Sequence, residues 1–567
     1  MGGFLLYKKN AQKVDIKKSL KIFEEKKLTI NTQFDFLDFQ IFTFNKRSFN
    51  NKNFFRFDGS DFIASIGTPI YKNKTGNKGA QELYEDLLKS VDLDFADFKG
   101  HYCYIININN KLLIFNDYNG SYHVYNDKDN FIYSNSFLAL SESIGEKAVS
   151  TQELYEYIFF ASTYGEKTIL KNIDQLSNKF IFELSPERKK VKKNYTLDTE
   201  PNYLNYDELV QFTSDRINDY FSLVLENFNS ISLGLSGGFD SRLLLMCLLK
   251  NNKKPNVYTH GTLNSFDVQF AREICKTYDL DFTHDDSNLE APKTTGEFKK
   301  LINEKFINTD GIVYNGVFSS FGKSMDIENS KRAELNLNGA GGEIYRSFWK
   351  LPGKALYIND YTNSRYNNFD LTIPTKLFDK SEFFNLFGEK NINSLDVQPN
   401  SSKIPGNLIE LIYPNFRLKY WFGKTTSRLN QFCYALVPFA EPYFYFYSYS
   451  IPLKFKIGGK FEAALLKKIN PDIAKYNSNY GFNFYDGPPP KYKILDWFKL
   501  HTPIPVRPLL RVIKSRQSAG LEKLKETSRI IFDEPYLIDE YINRDKVKNL
   551  DMYSRILTIE FYLKNFM

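Results

Sequence analysis

Residues 235–241, with the sequence LSGGFDS, combine the residue types in this chain that are best suited to chemistry. They follow an apolar stretch at 230–235 and precede a second one at 242–249. Two consecutive glycines let a backbone turn tightly, so that several N–H groups point to one place. A helix that follows such a turn offers its free N–H groups and its positive dipole end to an anion. The segment therefore predicts a phosphate-binding loop between a strand and a helix.

The polar side chains of this loop extend the prediction to a nucleotide. Ser236 and Ser241 offer hydroxyl donors to phosphate oxygens, whereas Asp240 repels bare phosphate and suits a divalent cation that bridges phosphates. The alternative is a plain glycine turn in which Asp240 or Ser241 caps the helix. The complete string, at a junction between a strand and a helix, favours binding of the pyrophosphate part of a nucleotide.

The segments around this loop alternate between strand and helix patterns. Apolar runs and helical periodicity predict strands at 230–235 and 254–258 and helices at 208–225, 242–249 and 266–278. Such alternation is typical of a parallel sheet with both faces covered, which makes the fold class α/β. Residues 405–567 have mainly helical patterns, interrupted by a loop at 481–490.

The front of the chain has a different character. Residues 1–196 show mostly strand patterns separated by turn-rich segments. A hairpin at 180–195 ends this part, and its basic run at 188–193 is either an anion-binding patch or a solvated turn, with the turn favoured. A linker-like segment follows at 201–207. Two domains are therefore predicted, 1–196 and 205–567.

Composition excludes several functional classes. The chain has 567 residues, of which 42% are hydrophobic and 25% charged, so it can bury the cores of several domains. A net charge of +8 over this length is a mild excess and disfavours a nucleic-acid partner. The most apolar stretch, 432–455, contains Glu441 and three prolines, which indicates buried core instead of a membrane span.

Cysteine spacing points to the compartment. The four cysteines are far apart and form no CxxC pair: Cys103, Cys247, Cys275 and Cys433. This disfavours a zinc ribbon or a disulfide framework and is typical of a reducing compartment. We therefore expect a cytoplasmic protein without a membrane partner.

The LSGGFDS string resembles the pyrophosphatase loop of the N-type ATP pyrophosphatases and, more narrowly, of the asparagine synthetase family, which includes β-lactam synthetases and lasso-peptide cyclases. Other segments resemble further motifs of that family in the same order. In the back half these are 267–274 (its second helix), 337–343 (its second glycine-rich loop) and 437–441 (its PFLD segment). In the front half, 97–104, 116–120 and 133–140 follow the order of its amidotransferase-type domain.

The resemblance implies a fold, cofactors and a site. It implies a degenerate Ntn-hydrolase-like αββα domain in front and an adenine-nucleotide α-hydrolase-like parallel sheet with a helical C-terminal extension behind. It implies ATP and Mg²⁺ as cofactors, with Asp240 and Glu343 as metal ligands and with the adenine near 258–261. The implied nucleotide-binding residues are Leu235, Ser236, Gly237, Gly238, Asp240, Ser241, His260 (through its backbone), Gly261, Asn338 and Gly339.

One departure from the family pattern, in the front half, concerns the nucleophile. Glutamine-dependent members carry a nucleophilic cysteine where this chain has Gly2, and no hydrogen-bonding arrangement replaces a missing sulfur. Cys103 lies in a predicted strand and is expected in the core instead of a site. The front domain is therefore expected to lack glutaminase activity.

Three positions in the back half also differ. Glu343 stands where the family has an aspartate, which keeps the carboxylate. Ala340 matches neither the glutamate of asparagine synthetases nor the tyrosine of β-lactam synthetases. Asn479 stands where the family has a charge-stabilising lysine, and either Lys475 or Lys491 could reach in, although both are also typical surface lysines. The implied catalytic residues are Asp240, Glu343 and Asn479.

The resulting functional hypothesis is an ATP-dependent amide-forming ligase. It would adenylate a small-molecule or peptide carboxylate and let an amine that does not come from glutamine, carried by the substrate, attack it. Closure of a lasso peptide or another macrolactam is one form of this hypothesis, and a biosynthetic partner protein would fit it. The alternatives are a nucleotide-binding scaffold without ligase activity and an RNA-modifying relative. The RNA-modifying alternative is disfavoured because Cys247 and Cys275 lack the spacing of paired catalytic cysteines.

Overall fold

The computed structural model describes all residues except 1, 10, 12–13, 50–51, 90–91, 198–204, 286–293, 320–324, 352, 354, 368, 396–402 and 508–519. Most of the predicted linker at 201–207 lies outside the described residues. The last part of that segment begins a helix, because the side chains of Asn205 and Glu208 form a capping box at its N-terminus. The predicted domain limits, 196 and 205, stay predictions.

The front half contains two antiparallel sheets of six strands. The first has the order β12-β10-β11-β1-β3-β2 and consists of β1 (Gly3–Lys8), β2 (Ile30–Phe36), β3 (Phe39–Phe44), β10 (Tyr125–Asp127), β11 (Ile132–Ser134) and β12 (Ile173–Gln175). The second has the order β14-β13-β9-β8-β5-β4 and consists of β4 (Phe54–Arg56), β5 (Phe62–Gly67), β8 (Tyr102–Ile108), β9 (Lys111–Asn116), β13 (Phe180–Ser185) and β14 (Lys189–Lys192). A short ribbon joins β6 (Ile70–Tyr71) to β7 (Phe98–Lys99).

Alternating side chains stack these sheets face to face. In β8, Cys103 and Ile105 join the apolar layer between the sheets, whereas Tyr104 and Ile106 join the layer on the outer face. This is the period of two that a strand buried on both faces requires. Helix α2 (Gly76–Leu88) covers the outer face of the second sheet, and helices α1 (Ile16–Glu25), α3 (Phe137–Ser143) and α4 (Thr151–Phe160) cover that of the first. The expected place of Cys103 in the core is confirmed.

The back half is built on a five-stranded parallel sheet, which confirms the predicted α/β class. Its order is β17-β16-β15-β18-β19, with β15 (Ile231–Gly234), β16 (Asn256–His260), β17 (Phe282–Asp285), β18 (Leu335–Leu337) and β19 (Tyr434–Leu436). The chain adds β16 and β17 on one side of β15 and then β18 and β19 on the other. The order therefore reverses between β15 and β18, and in open α/β sheets such a reversal opens a crevice at the carboxyl ends of the strands.

Helices surround this sheet and make up most of the C-terminal part, as predicted. They are α5 (Tyr206–Val224), α6 (Phe239–Lys250), α7 (Phe266–Tyr278), α8 (Thr295–Thr309), α9 (Met325–Ser330), α10 (Ile358–Tyr366), α11 (Lys380–Ser394), α12 (Gly406–Glu410), α13 (Gly423–Leu429), α14 (Pro442–Ser450), α15 (Leu453–Lys456), α16 (Lys460–Ile469), α17 (Pro471–Ala474), α18 (Pro490–His501), α19 (Leu521–Ile531) and α20 (Leu550–Phe566).

A π-helix spans Tyr413–Phe422, and 3₁₀ turns occupy Phe95–Asp97, Leu225–Asn227, Gly342–Tyr345, Pro438–Ala440, Ile457–Gly459, Ile504–Val506, Leu537–Glu540 and Arg544–Lys546. Of the described helices, each is too short or too polar to cross a bilayer. All four cysteines are buried, and their thiols are not part of disulfides.

The two halves pack directly against each other. The Thr68 hydroxyl donates to Asn430 Oδ1 at 2.6 Å, and the buried Lys46 ammonium donates to the Asn430 carbonyl at 2.7 Å. The Val437 N–H donates to His101 Nε2 at 3.0 Å, and the Arg555 side chain in α20 donates to the Ile158 carbonyl at 2.9 Å. The segments on both sides of β19 and the last helix therefore hold the front sheets to the back half.

Candidate functional site

A cavity of about 500 Å³ lies at the carboxyl ends of β15 and β18, where the strand order reverses. Its walls are the loop after β15, the loop after β18, the π-helix and the segment at 479–480. A crevice at this point is where open α/β sheets bind ligands. The predicted site residues that line it are Ser236, Gly238, Asp240, Ser241, Asn338, Gly339, Glu343 and Asn479.

Hydroxyl contacts shape the loop after β15. The Ser236 N–H donates to Ser241 Oγ at 3.0 Å, and the two hydroxyl groups are also 3.0 Å apart. Gly238 then caps helix α6 with an extended backbone and no side-chain cap. The helix N-terminus therefore faces the cavity with N–H groups that no side chain caps, which suits an anion.

Arg242, which is fully buried, fixes this loop to the segment that carries Asn479. Its guanidinium donates to the carbonyls of Gly237, Tyr476 and Asn477 at 3.2, 2.8 and 2.7 Å. Burial lowers the pKa of Arg242 to about 10, so the group remains charged at neutral pH. Its contacts hold Asn479 beside the glycine turn.

Glycines allow the loop after β18 to lie against the start of helix α6. A Cβ on Gly339 would lie 2.8 Å from the backbone nitrogen of Ser241, and one on Gly342 would lie 2.4 Å from Asp240 Oδ1. Real Cβ atoms do not approach other atoms this closely, so only glycine fits at both positions. Gly341, with a φ of 99°, supplies the left-handed turn between them. The result brings Glu343 to Asp240.

Asp240 and Glu343 form a pair of neighbouring carboxyl groups at the bottom of the cavity. Burial, followed by the charge of Glu343 and a hydrogen bond with its carboxyl group, raises the pKa of Asp240 well above its usual range. Asp240 Oδ1 is buried and has no hydrogen-bond partner among the described residues. Glu343 Oε2 accepts from the Tyr413 hydroxyl at 2.6 Å and from the Gly341 N–H at 3.2 Å. Positive charge supplied from the cavity would relieve this repulsion.

This donor set fits a magnesium ion. Oxygen ligands are what Mg²⁺ prefers, it commonly takes one or two carboxylates from a protein, and substrate phosphates and waters complete its shell. Asp240 Oδ1 is an unpaired buried oxygen beside a second carboxylate, which is the arrangement such an ion needs. Within the described part of the chain, no cluster of three or more His, Cys, Asp or Glu side chains could hold a metal by itself. The remaining ligands would therefore have to come from a bound molecule and water.

Arg346 brings a positive charge to the same wall. Its guanidinium lies 3.4 Å from Glu343 and 3.8 Å from the buried Glu462, and it donates to the Tyr480 hydroxyl at 2.9 Å. Burial alone would lower the pKa of Arg346, but Glu462, Tyr480 and the carboxyl pair outweigh it, so the pKa is raised. Burial also raises the pKa of Glu462 to about 7. Arg346 is thus a permanent cation in the cavity.

Four of the predicted nucleotide-binding residues lie outside the cavity walls. Leu235 is buried. Its N–H donates to the Tyr258 carbonyl, and its carbonyl accepts from the Thr259 hydroxyl. The Gly237 N–H donates to Asp267 Oδ1 at 2.8 Å, so a carboxylate already satisfies it. His260 contacts Asp285 at 2.8 Å, and the Gly261 N–H donates to the carbonyl of that residue at 3.1 Å. These two residues lie at the end of β16, beside the cavity.

Sequence patterns missed several residues of the site. Arg346, Phe348, Tyr413, Arg417, Trp421 and Tyr480 line the cavity. Arg346 and Tyr480 lie within three residues of predicted site residues, which is a signal that could have identified them. Tyr413, Arg417 and Trp421 come from the π-helix, whose sequence has no recognisable motif. Neither Lys475 nor Lys491 lines the cavity, and the Lys475 ammonium pairs with Asp472 at 2.9 Å.

The position of Gly2 is closed. Its N–H donates to the Phe44 carbonyl at 2.8 Å, and a Cβ built on it would lie 2.6 Å from the Asn45 carbonyl oxygen and 2.9 Å from that of Gln431. The backbones of Arg47 and Gln431 are hydrogen-bonded to each other beside it, at 3.0 Å. A cysteine side chain has no room at this position.

Comparisons with known proteins give distant likenesses among solved structures alone. No protein-family model matches the chain, and no curated protein matches it either. Among solved structures, it is similar to glutamine phosphoribosylpyrophosphate amidotransferase from B. subtilis, determined with ADP and GMP, at 10% sequence identity and a TM-score of 0.22. The match covers 52% of this chain and 67% of that chain. The function therefore has to be argued from the residues of the chain itself.

Proposed function

We propose that the protein is an ATP-dependent amide-forming ligase whose site is the cavity around Asp240 and Glu343. In the proposed reaction, a substrate carboxylate attacks the α-phosphorus of ATP, giving an acyl-adenylate and pyrophosphate. An amine then attacks the acyl carbon, which forms the amide, releases AMP and frees one proton. The two stacked antiparallel sheets of the front half, with helices on both outer faces, support its interpretation as a degenerate amidotransferase-type domain.

One observation carries this proposal: the buried, unpaired Asp240 Oδ1 beside Glu343, in a cavity at the reversal point of a parallel sheet. A structural aspartate would be expected to accept a hydrogen bond from its surroundings, because leaving a buried acceptor unsatisfied costs about 1–3 kcal/mol. Two adjacent carboxyl groups raise that cost further. A cation brought in with a triphosphate accounts for both features.

The residues of the cavity divide the work of binding and charge control. The N-terminus of α6 and the hydroxyls of Ser236 and Ser241 face the place where phosphate oxygens would lie. Asp240 and Glu343 would hold magnesium, which supplies the positive charge that lets one anion approach another. Placing both reactants in one cavity also lowers the activation barrier, because fixed orientation reduces the entropic part of that barrier.

Arg346 stabilises negative charge at the step where the family uses a lysine and this chain has Asn479. Asn479 can donate a hydrogen bond but carries no charge, and Arg346 brings a permanent cation into the same cavity, held by the Tyr480 hydroxyl. Developing negative charge is stabilised most by donors that are already in place. We therefore assign Arg346 the charge-stabilising role that the family gives to its lysine.

The closed position of Gly2 favours an amine that is not made by this chain from glutamine. The nucleophile is absent there, and the surrounding backbone leaves no space for one. A carboxylate and an amine on the same substrate, or a separate amine, would suit the single cavity. Macrolactam closure is one reaction of this type.

Release of pyrophosphate tests the proposal. The protein is incubated with ATP, Mg²⁺ and panels of carboxylates and amino acids, and both pyrophosphate and AMP are measured. Substrate-dependent formation of both products in equal amounts is expected. ADP and phosphate instead, or no turnover with any carboxylate together with no binding of ATP, would contradict it.

A second candidate is a nucleotide-binding scaffold, which the uncharged Asn479 favours. It predicts that ATP binds through Asp240 but that none of the carboxylates causes release of pyrophosphate. The same experiment separates the two, because binding and turnover are measured on one sample.

A further inference from the structure

A second cavity lies between the two halves of the chain. Its volume is about 580 Å³, and residues from both halves line it, including Lys193 from the front half and Lys419 from the back half. It does not share a lining residue with the cavity around Asp240. The π-helix separates them, with Asn415 and Lys419 on one side and Tyr413 and Arg417 on the other.

The lining of this cavity is strongly positive. Six lysines face it, against a single acidic residue, Glu166. The lysines are Lys167, Lys179, Lys192, Lys193, Lys390 and Lys419. A low-dielectric cleft lined by one sign of charge focuses its field and concentrates ions of the opposite sign.

Some of these lysines are neutralised within the protein. The Lys390 ammonium lies 2.7 Å from Glu153 and 2.6 Å from Glu156, and the Lys167 ammonium lies 3.0 Å from Asp174. These pairs account for two of the six positive charges. The charges of Lys193 and Lys419 remain to be accounted for.

Lys193 and Lys419 are buried without a carboxylate partner. Each is 5% exposed, and among the described residues neither has an acidic oxygen within 4.0 Å of its ammonium. Lys193 donates to the Asn116 carbonyl at 2.5 Å and to the Asp117 carbonyl at 3.4 Å, and Lys419 donates to the amide oxygen of Asn178. These acceptors are all neutral.

A buried ammonium without an anion is costly. Burial lowers the pKa of Lys193 to about 7 and that of Lys419 to about 8, which is the direction desolvation gives for a cation. Two such groups on the wall of a cavity that a small molecule could fill indicate that the missing anion comes from outside the chain. In the basic run at 188–193, residues 188–192 are exposed, as the favoured prediction of a solvated turn requires, and only Lys193 is buried, on the wall of this cavity.

We propose that this cavity binds a small organic anion that carries at least two carboxylate or phosphate groups. Two negative groups match the ammonium groups of Lys193 and Lys419, which have only neutral hydrogen-bond acceptors among the described residues. Tyr118, Phe180 and Phe446 line the same cavity and provide apolar surface for the carbon frame of such a ligand. The site is independent of the proposed nucleotide site.

Calorimetric titration of the full chain tests this assignment. The probes are citrate, for carboxylates, and inorganic pyrophosphate, for phosphates, with acetate as a monovalent control. One equivalent of citrate or pyrophosphate is expected to bind, and the probe that binds more tightly identifies the anionic group. Acetate is expected not to bind.

Variants locate the site. Lys419→Met removes one charge and is expected to weaken binding about 10-fold to 100-fold, as for loss of a charged hydrogen bond. Lys475→Met, an exposed lysine away from the cavity, is the matched control and is expected to bind as the wild type does. Asp240→Asn is also expected to keep full affinity, which separates this site from the nucleotide site.

Two results would overturn the proposal. One is that neither citrate nor pyrophosphate binds the wild type at millimolar concentration, and the other is equal affinity in Lys419→Met and wild type. If Lys419→Met does not fold, Lys179→Glu at the exposed rim replaces it. Charge reversal there is expected to weaken binding at least 10-fold, and unchanged affinity would equally overturn the assignment.

Discussion

Two regions of this chain are where the family resemblance implies chemistry, and they differ in the space around them. In the front half, Gly2 is enclosed by carbonyl oxygens so closely that a Cβ would lie within 2.6 Å of one of them. In the back half, Asp240 and Glu343 border a cavity of about 500 Å³. The first region is packed interior, and the second leaves room for a ligand.

This difference indicates what each half contributes. Hydrogen bonds that Lys46 and Thr68 donate, and one that His101 accepts, join the front sheets to the segment around β19. That segment also carries the buried Glu441, whose carboxylate accepts from the Tyr220 hydroxyl at 2.5 Å. The front half therefore packs against the back half through these contacts, while the charged groups of the proposed site, Asp240, Glu343 and Arg346, all belong to the back half.

Loss of the Asp240 charge should have the largest effect on activity. We expect Asp240→Asn to lower pyrophosphate release about 10²–10³-fold, by analogy with removal of one charge-stabilising group from an active site. Its melting temperature should stay the same or rise, because a repulsive buried carboxyl pair is removed. Measuring both quantities on one preparation checks this.

The matched control for that change is Asp472→Asn, an exposed aspartate paired with Lys475. It should leave both activity and melting temperature unchanged. Wild-type turnover in Asp240→Asn would contradict this account, because the cavity around Asp240 would then contribute no more to the reaction than the closed position of Gly2 does.

Glu441 should make the stability of the chain depend on pH. Burial raises its pKa from 4.5 to about 7, so the folded chain holds this proton more tightly than the unfolded chain does. The free energy of unfolding should therefore fall as the pH rises from about 4.5 to about 7, by roughly 3 kcal/mol at 1.36 kcal/mol per pKa unit. Urea unfolding at several pH values measures the slope.

Glu441→Gln should reduce that slope, and Glu328→Gln, at an exposed position, should not. Glu462, with a pKa of about 7, would leave a residual slope in the variant. If the free energy of unfolding of Glu441→Gln depends on pH in the same way as that of the wild type, Glu441 is not the group that causes this dependence.

Arg346 should affect activity less than Asp240 does. We expect Arg346→Met to lower pyrophosphate release about 10-fold to 100-fold, since a charged hydrogen bond is worth about 1.5–3 kcal/mol. The Michaelis constant for ATP should change less than the turnover number if Arg346 acts on developing charge. Tyr480→Phe, which removes the hydroxyl that holds Arg346, should have a smaller effect in the same direction, whereas a change confined to ATP affinity would assign Arg346 to binding.

Gly2 gives the smallest expected effect and tests the closed region. Gly2→Cys should lower the free energy of unfolding by about 1–3 kcal/mol, the usual cost of overpacking, and should not produce glutaminase activity. Gly145→Cys is the matched control, because a Cβ there meets no atom within 4 Å. Glutamine hydrolysis by Gly2→Cys without loss of stability would show that a cysteine side chain fits at position 2, contrary to this account.

Local patterns predicted the elements that surround the site. The alternation of strands and helices fixed the parallel sheet, and the helix predicted at 266–278 is α7. Helix α6 begins three residues before its apolar run, at Phe239, because Gly238 serves as its N-cap. The helix that begins at Tyr206 was also readable, since Asn205 and Glu208 have the spacing of a capping box.

Contacts between distant segments were not predictable in the same way. Arg346 enters the site because three carboxyl and hydroxyl groups converge on it, and Tyr413 enters from a π-helix that has no sequence signature. Leu235 and Gly237 belong to the glycine-rich string, yet their backbone groups bond to neighbouring strands and to Asp267. Motifs identify which residues meet, but packing decides which of their atoms remain available.

Binding of Mn²⁺ with ATP, followed by electron paramagnetic resonance, tests the central claim most directly. Mn²⁺ replaces Mg²⁺ at oxygen sites, so a bound signal should form with wild-type protein only when ATP is present. That signal should be lost in Asp240→Asn and in Glu343→Gln but kept in Asp472→Asn. An equally strong signal in all four proteins, or none with the wild type, would contradict the assignment of Asp240 and Glu343 as the pair that holds the cation.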